Sequence, residues 1–228
     1  QKALKLSVVF GFIVSILAAF PTGHEHAQQV ARDQPEKFAA IEGLYTTEEG
    51  APLVLFGVPH TKPPELKARI EIPGMVSWLA FGEPVRTIPG LDQFPEDEIP
   101  PLWLTFVSFH NMVLLGLLFQ AVMFLGLILW WKKRLFTTRW YLVLMVAVSW
   151  LPLAANQFGW VTAEVGRQPW SVYRLLRVSD SVSATVGAGE ILFSIILLGS
   201  IYLLLLGLYL FLLFRFIRTG PEPASAGE

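Results

Sequence analysis

Four uninterrupted apolar stretches constrain this chain more than any motif, because each is long enough to cross a bilayer and together they leave no soluble core. A helical crossing takes about 20 residues. The stretches cover residues 3–20, 102–131, 140–163 and 188–217, and Trp, Lys, Arg or Pro closes one or both ends of each, as interfacial anchors do. A hydrophobic content of 54% and a mean hydropathy of +0.53 agree with this reading. The sequence predicts an all-α membrane protein of four transmembrane helices with a long extracytoplasmic loop between the first and second. Its parts are a transmembrane helix over 1–20, the loop over 21–101, a three-helix bundle over 102–218 and a disordered cytoplasmic tail over 219–228.

Basic residues set the orientation. Lys2 and Lys5 lie at the start of the first stretch, Lys132, Lys133, Arg134 and Arg139 fill the link between the second and third, and Arg215 and Arg218 lie at the end of the fourth. All fall on one side, so the positive-inside rule puts both termini and that link in the cytoplasm. Residues 21–101, with 13 acidic side chains against 6 basic ones, then lie outside with residues 164–187. The absence of cysteine removes disulfides, thiolate metal sites and thiol catalysis. The first stretch is too long and apolar for a cleavable signal, and no small-residue cleavage site follows Phe20-Pro21. A chain opening Gln1-Lys2-Ala3 directly before a span reads as the later part of a longer protein.

The outer segment is too long for an idle connection, since loops beyond about 15 residues are usually functional or disordered. Asp33-Gln-Pro-Glu36 has the form of a helix start, with Asp33 as N-cap, Glu36 three residues on and Pro35 in the first turn. Phe38, Ile41, Leu44 and Tyr45 follow at helical spacing and predict a stripe lying on a membrane or protein surface, with Lys37 and Glu42 off it. The remainder, 50–100, holds many of the 16 prolines and reads as extended coil with one hairpin.

The residues able to do chemistry are few. His110 and Met112 lie well inside the second stretch, and each is a possible haem ligand. Two residues apart on a helix they point about 200° from each other and cannot serve one iron. A methionine in a membrane helix is ordinarily packing, whereas a histidine there asks for a polar partner such as a propionate or a carbonyl. Trp160 and Glu164 stand one turn apart on the same helix face. Glu164 either snorkels to water or belongs to a site, and Arg167 can pair with it or with an anionic cofactor group. Asn156, Gln157 and Glu190 are further polar groups within or near spans. His24-Glu-His26 lacks a third metal ligand and reads as a solvated turn.

Three motifs together carry a resemblance. Gln34-Pro-Glu-Lys-Phe-Ala-Ala-Ile-Glu-Gly43, Phe109-His-Asn-Met112 and Gly159-Trp-Val-Thr-Ala-Glu-Val-Gly-Arg-Gln-Pro-Trp170, in this order, resemble subunit I of cytochrome bd quinol oxidases in its short quinol-loop form. The resemblance covers nearly all of this chain but only the later half of that subunit. It implies that Lys37 and Glu42 belong to a quinol site, that Met112 is an axial ligand of a low-spin haem b, and that Glu164 ligates or neighbours a high-spin haem b. It places Trp160 between haems and Arg167 near propionates. His110 stands where the family pattern, Phe-Arg-x-Met, has arginine.

The resemblance also implies partners. The other ligand of the low-spin haem and the groups holding haem d would lie in a chain carrying the earlier half of subunit I; subunit II, quinol, oxygen and membrane lipid complete the set, and nucleic acid is not among them. The expected location is a bacterial or archaeal cytoplasmic membrane. The expected function is part of a quinol:oxygen oxidoreductase, active only with its partner chains, that oxidises quinol at the outer face and passes electrons through b-type haems to an oxygen-reducing haem. The alternative is a non-catalytic membrane scaffold derived from such an oxidase, to which His110 lends weight. A transporter fits less well, because the polar residues gather at one surface rather than at the midplane.

Overall fold

The structure, a computed structural model, describes residues 2–61, 64–183 and 185–220. Four helical runs among them are long and apolar enough to cross a membrane: Lys2–Asp33, Leu102–Trp131, Arg139–Val165 and Ala188–Thr219. The expected tail largely falls outside the described residues. The chain divides into two bodies, 1–181 and 182–228, which are taken in turn.

The first run overturns the expected break at Pro21. A helix α1 (Lys2–Leu17) passes through a π-helical turn (Ala18–Gly23) into α2 (His24–Asp33) without interruption. Proline lacks an N–H and its ring crowds the carbonyl four residues back, which a regular α-helix cannot absorb. The wider π turn absorbs it, and the Thr22 hydroxyl donates to the carbonyls of Leu17 at 3.0 Å and Ala18 at 2.9 Å. His24 and His26 are therefore in the first turn of a helix rather than a solvated turn, and His24 Nε2 meets the Gln28 side-chain amide at 3.1 Å.

Asp33 is not an N-cap either. It ends α2, Gln34 makes the corner in a non-helical conformation, and α3 (Pro35–Glu42) starts on Pro35, whose missing N–H costs nothing there. Gly43, at φ +69°, closes α3 in the left-handed conformation. The stripe Phe38, Ile41 and Leu44 is buried, with Tyr45 packed at its edge.

The described residues between 43 and 101 are more ordered than extended coil. The expected hairpin is present as β2 (Leu53–Thr61) against β3 (Pro64–Ile72), and β1 (Glu48–Glu49) pairs with β4 (Thr87–Ile88) around a short helix α4 (Met75–Phe81). Val30, Phe38, Ile41, Val76, Ile88 and Leu91 belong to one core under these elements. The buried Ser77 hydroxyl is satisfied twice, accepting from the Ala51 N–H and donating to the Arg86 carbonyl, both at 2.8 Å. These strands make the protein mostly helical rather than all-α.

The second run, α5 (Leu102–Trp131), has the expected bounds and spans about 45 Å at 1.5 Å per residue. The third is two helices. α6 (Arg139–Val148) stops at a turn through Ser149 and Trp150, and α7 (Leu151–Val165) begins with Pro152 near its N-terminus, where proline is tolerated. A hairpin, β5 (Trp170–Val172) with β6 (Leu176–Arg177), follows. α5 is the hub against which α1, α3 and α7 pack.

Close approach at these seams depends on small residues and interhelical hydrogen bonds, as expected where lipid removes the hydrophobic drive between helices. Tyr141, fully buried, donates its hydroxyl to the Val122 carbonyl at 3.1 Å. A Cβ on Gly126 would run into that hydroxyl and lie 2.9 Å from Val8. The second body contains α8 (Ala188–Thr219), apolar along its length and with no residue buried. Such a helix leaves its whole circumference for lipid or other protein.

The α1–α5–α6 seam gives a stability prediction. Gly126→Val overpacks it and should cost about 1–3 kcal/mol, whereas Tyr141→Phe removes one neutral hydrogen bond and should cost about 1 kcal/mol. Thermal unfolding of the detergent-solubilised protein should rank them in that order below the parent; equal midpoints for Gly126→Val and the parent would contradict the packing.

Candidate functional site

The N-terminal turn of α3 rests on the C-terminal end of α7. Lys37 Nζ donates to the Ala163 carbonyl at 3.3 Å, one of the last-turn carbonyls that a helix leaves without an N–H partner. Residue 166 must be small for this. A Cβ on Gly166 would lie 3.1 Å from Lys37 Cε and 3.2 Å from the Thr105 methyl, and would collide with the Thr162 carbonyl. Burial holds the Lys37 ammonium below its ordinary pKa, the Glu164 carboxylate opposes that fall, and the Arg167 guanidinium adds to it.

Glu164 occupies the last turn of α7, where the helix dipole disfavours a carboxylate. Arg167 offsets this with a 2.7 Å ion pair three residues on, both side chains being partly exposed. Lys37, Glu164 and Arg167 are thus brought together, whereas the sequence grouped Lys37 with Glu42 and Glu164 with Arg167. A narrow cleft opens beside them, lined by Gln34, Lys37, Glu98, Arg167, Gln168 and Trp170. The Trp170 indole N–H is buried there without an acceptor among the described residues.

Glu42 lies elsewhere. Five residues after Lys37 it leaves α3 about 140° away, so the two do not share a helix face. Its side chain is 6% exposed, one carboxylate oxygen has no partner, and burial alone pushes its pKa up to about 7. Next to it, Gly43 lines a second cleft of about 430 Å³ with Tyr45, Val54, Leu66 and Arg69.

His110 and Met112 diverge as helix geometry requires. The His110 ring stacks on Phe106 with centroids 3.9 Å apart, and Nδ1 and Nε2 each sit 3.0 Å from a backbone carbonyl, of Phe106 and Val54 respectively. Its polar partners are therefore backbone carbonyls, one of the two options open from sequence, and it ties α5 to β2. Met112 points to α7, where a Cβ on Gly159 would lie 3.0 Å from its sulfur. Trp160, the next residue, is 61% exposed on the outside of α7. Between the same helices the buried Thr162 hydroxyl donates to Ser108 Oγ at 2.9 Å.

One site residue escapes the sequence reading. Glu36, assigned there to capping, is buried and binds two groups from the turn of the β5–β6 hairpin: the Tyr173 hydroxyl donates to Oε2 at 2.6 Å and Arg174 to Oε1 at 2.8 Å. Burial and the neighbouring Glu36 raise the Tyr173 pKa, keeping it a donor. No local spacing signals this contact, since 137 residues separate Glu36 from Tyr173.

The sequence matches the family model described as cytochrome bd terminal oxidase subunit I over residues 1–221. It is 34% identical over 232 residues to cytochrome bd ubiquinol oxidase subunit 1 of Bacillus subtilis (strain 168), covering 97% of this chain and 49% of that protein. Against the putative cytochrome bd menaquinol oxidase subunit I of the same strain the identity is 38% over 192 residues, or 83% of this chain and 42% of that one. A solved structure of bd oxidase from Geobacillus thermodenitrificans matches with a TM-score of 0.80 at 32% identity, over 96% of this chain and 50% of that one. The chain spans about half the length of these relatives. With matches that run through both the helices and the site, it belongs to the cytochrome bd terminal oxidase subunit I family, membrane respiratory oxidoreductases for which haem and iron are expected.

Proposed function

We propose that this chain is the quinol-oxidising part of a membrane quinol:oxygen oxidoreductase and completes haem sites together with partner chains. The observation that carries this reading is Lys37 of α3 seated on the end of α7 beside the Glu164–Arg167 pair. Lys37 binds the quinol oxygen. Glu42, buried with a pKa near 7 and a free carboxylate oxygen, receives a hydroxyl proton, as a general base matched to neutral pH does.

The residues fit a haem-type group. Met112 offers a thioether lying against bare glycine backbone, Glu164 a carboxylate, and Arg167 and the unpartnered Trp170 indole are N–H donors for propionates. In this reading Met112 would hold the low-spin haem b iron and Glu164 the high-spin haem b iron, Arg167 would anchor propionates, and Trp160 would stand along the electron route. His110 holds the loop rather than a cofactor. Bound haem, including the haem d of the partner chain, would supply one-electron transfer between a two-electron donor and oxygen. The remaining partners are the chain with the earlier half of subunit I and subunit II.

Sidedness follows from charge. By the positive-inside rule the basic residues 132–134 and 139 mark the cytoplasmic side. α3 and the end of α7 then face outward. Quinol protons leave on that side, so each proton drawn from the cytoplasm for water formation moves about one charge, worth roughly 2.3 kcal/mol per 100 mV.

Two experiments on the assembled complex test this. Reduced-minus-oxidised spectra should show haem b and haem d bands, with one b-type signal lost or shifted in Met112→Leu; an unaltered Met112→Leu spectrum removes the ligand assignment. In quinol oxidation, Lys37→Ala should raise KM. Because Glu42 must be ionised to accept a proton, kcat should climb as pH rises through about 7, and Glu42→Gln should abolish that limb. A Glu42→Gln enzyme with the parent's pH profile would remove Glu42 as the base.

A further inference from the structure

We infer that the contact of Glu36 with Tyr173 and Arg174 sets the position of Lys37, which makes Tyr173 and Arg174 positioning residues of the quinol site; this rests on the quinol reading above. The buried stripe of α3 fixes the helix, but little fixes the Lys37 side chain itself. Its ammonium makes one long hydrogen bond to a backbone carbonyl and no ion pair within 4.0 Å among the described residues. A flexible four-carbon stem is defined only as well as the backbone that carries it.

At its N-terminal turn, ahead of the buried stripe, that backbone is tethered one residue earlier. Glu36 is 3% exposed, and a carboxylate so placed must find donors for both oxygens. It finds them across the fold at 2.6 Å and 2.8 Å, both from the tip of one hairpin. Arg174 reaches Glu36 from a left-handed backbone conformation, φ +54°, which a non-glycine residue adopts only when its surroundings impose it.

The hairpin is itself held at its other end. Arg177 binds Asp97 at 2.8 Å and lies over the Trp170 ring, 5.1 Å from its centroid. The strand carrying Trp170 starts three residues after Arg167, so one hairpin tethered at both ends borders both sides of the cleft, next to Arg167 directly and next to Lys37 through Glu36. Helix capping, the local alternative for Glu36, would not need partners at such separation or such burial.

The test is steady-state quinol oxidation by the complete oxidase complex. Glu36→Gln and Arg174→Ala should raise quinol KM about tenfold, the effect of losing one hydrogen bond to a charged group, with haem spectra unchanged. Arg174→Lys should recover part of the loss. Glu36→Gln combined with Lys37→Ala should be no worse than Lys37→Ala alone, since the first acts through the second.

Should Glu36→Gln fail to assemble, Tyr173→Phe, which removes a single hydroxyl, decides: a raised KM supports the inference and an unchanged KM overturns it. If Lys37→Ala raises KM while Glu36→Gln, assembled, does not, the positioning role falls and the quinol site stands. If Lys37→Ala leaves KM unchanged, the quinol reading falls and takes this inference with it.

Discussion

An ammonium group laid against the frayed end of a helix is the contact on which the candidate site depends. The Ala163 carbonyl lies in the last turn of α7, at the negative end of the helix dipole, so Lys37 is both a hydrogen-bond donor and a favourable charge there. Two conditions make the approach feasible. Gly166 presents no side chain, and the apolar stripe of α3 buries itself in the loop core, which holds that helix in place. Without either, Glu164 and Arg167 would be only an exposed ion pair of small worth.

The helices follow the economy of a bilayer rather than of water. Their outer faces are apolar and exposed, and their seams use glycine and hydrogen bonds: Gly126 beside Tyr141, Gly159 beside Met112, Thr162 to Ser108, and the Gln120 amide to the Ser15 carbonyl at 3.2 Å. α8 takes this furthest, with no buried residue of its own. Faces of this kind suit a subunit of which this chain matches about half, because lipid and other protein can cover what the chain leaves bare.

Length and hydropathy made the spans legible, and α5 begins and ends where its apolar run does. Proline misled at residue 21 because a helix can widen to admit it, and it was informative at Pro35 because there it opens a helix. The pairing of Glu164 with Arg167 was legible, since a spacing of three brings the two side chains together on a helix end. Glu36 was not: a Pro-Glu pair at a helix start has a sufficient local explanation, and only the fold reveals that a distant hairpin takes the carboxylate instead. The separation of Lys37 and Glu42 could have been read from their spacing of five, which no regular helix brings to one face.

The π turn at Ala18–Gly23 gives the first rod two independent compass bearings. A stretch with more than four residues per revolution resets the phase of everything after it, so α1 can offer one direction to its neighbours while α2 aims Val30 and Ala31 into the loop core. A regular α-helix of the same number of residues would rotate everything beyond this turn by about one further residue, roughly 100°, and carry Val30 and Ala31 away from the loop core. Length along the membrane normal and azimuth around it are set by different residues of one continuous element.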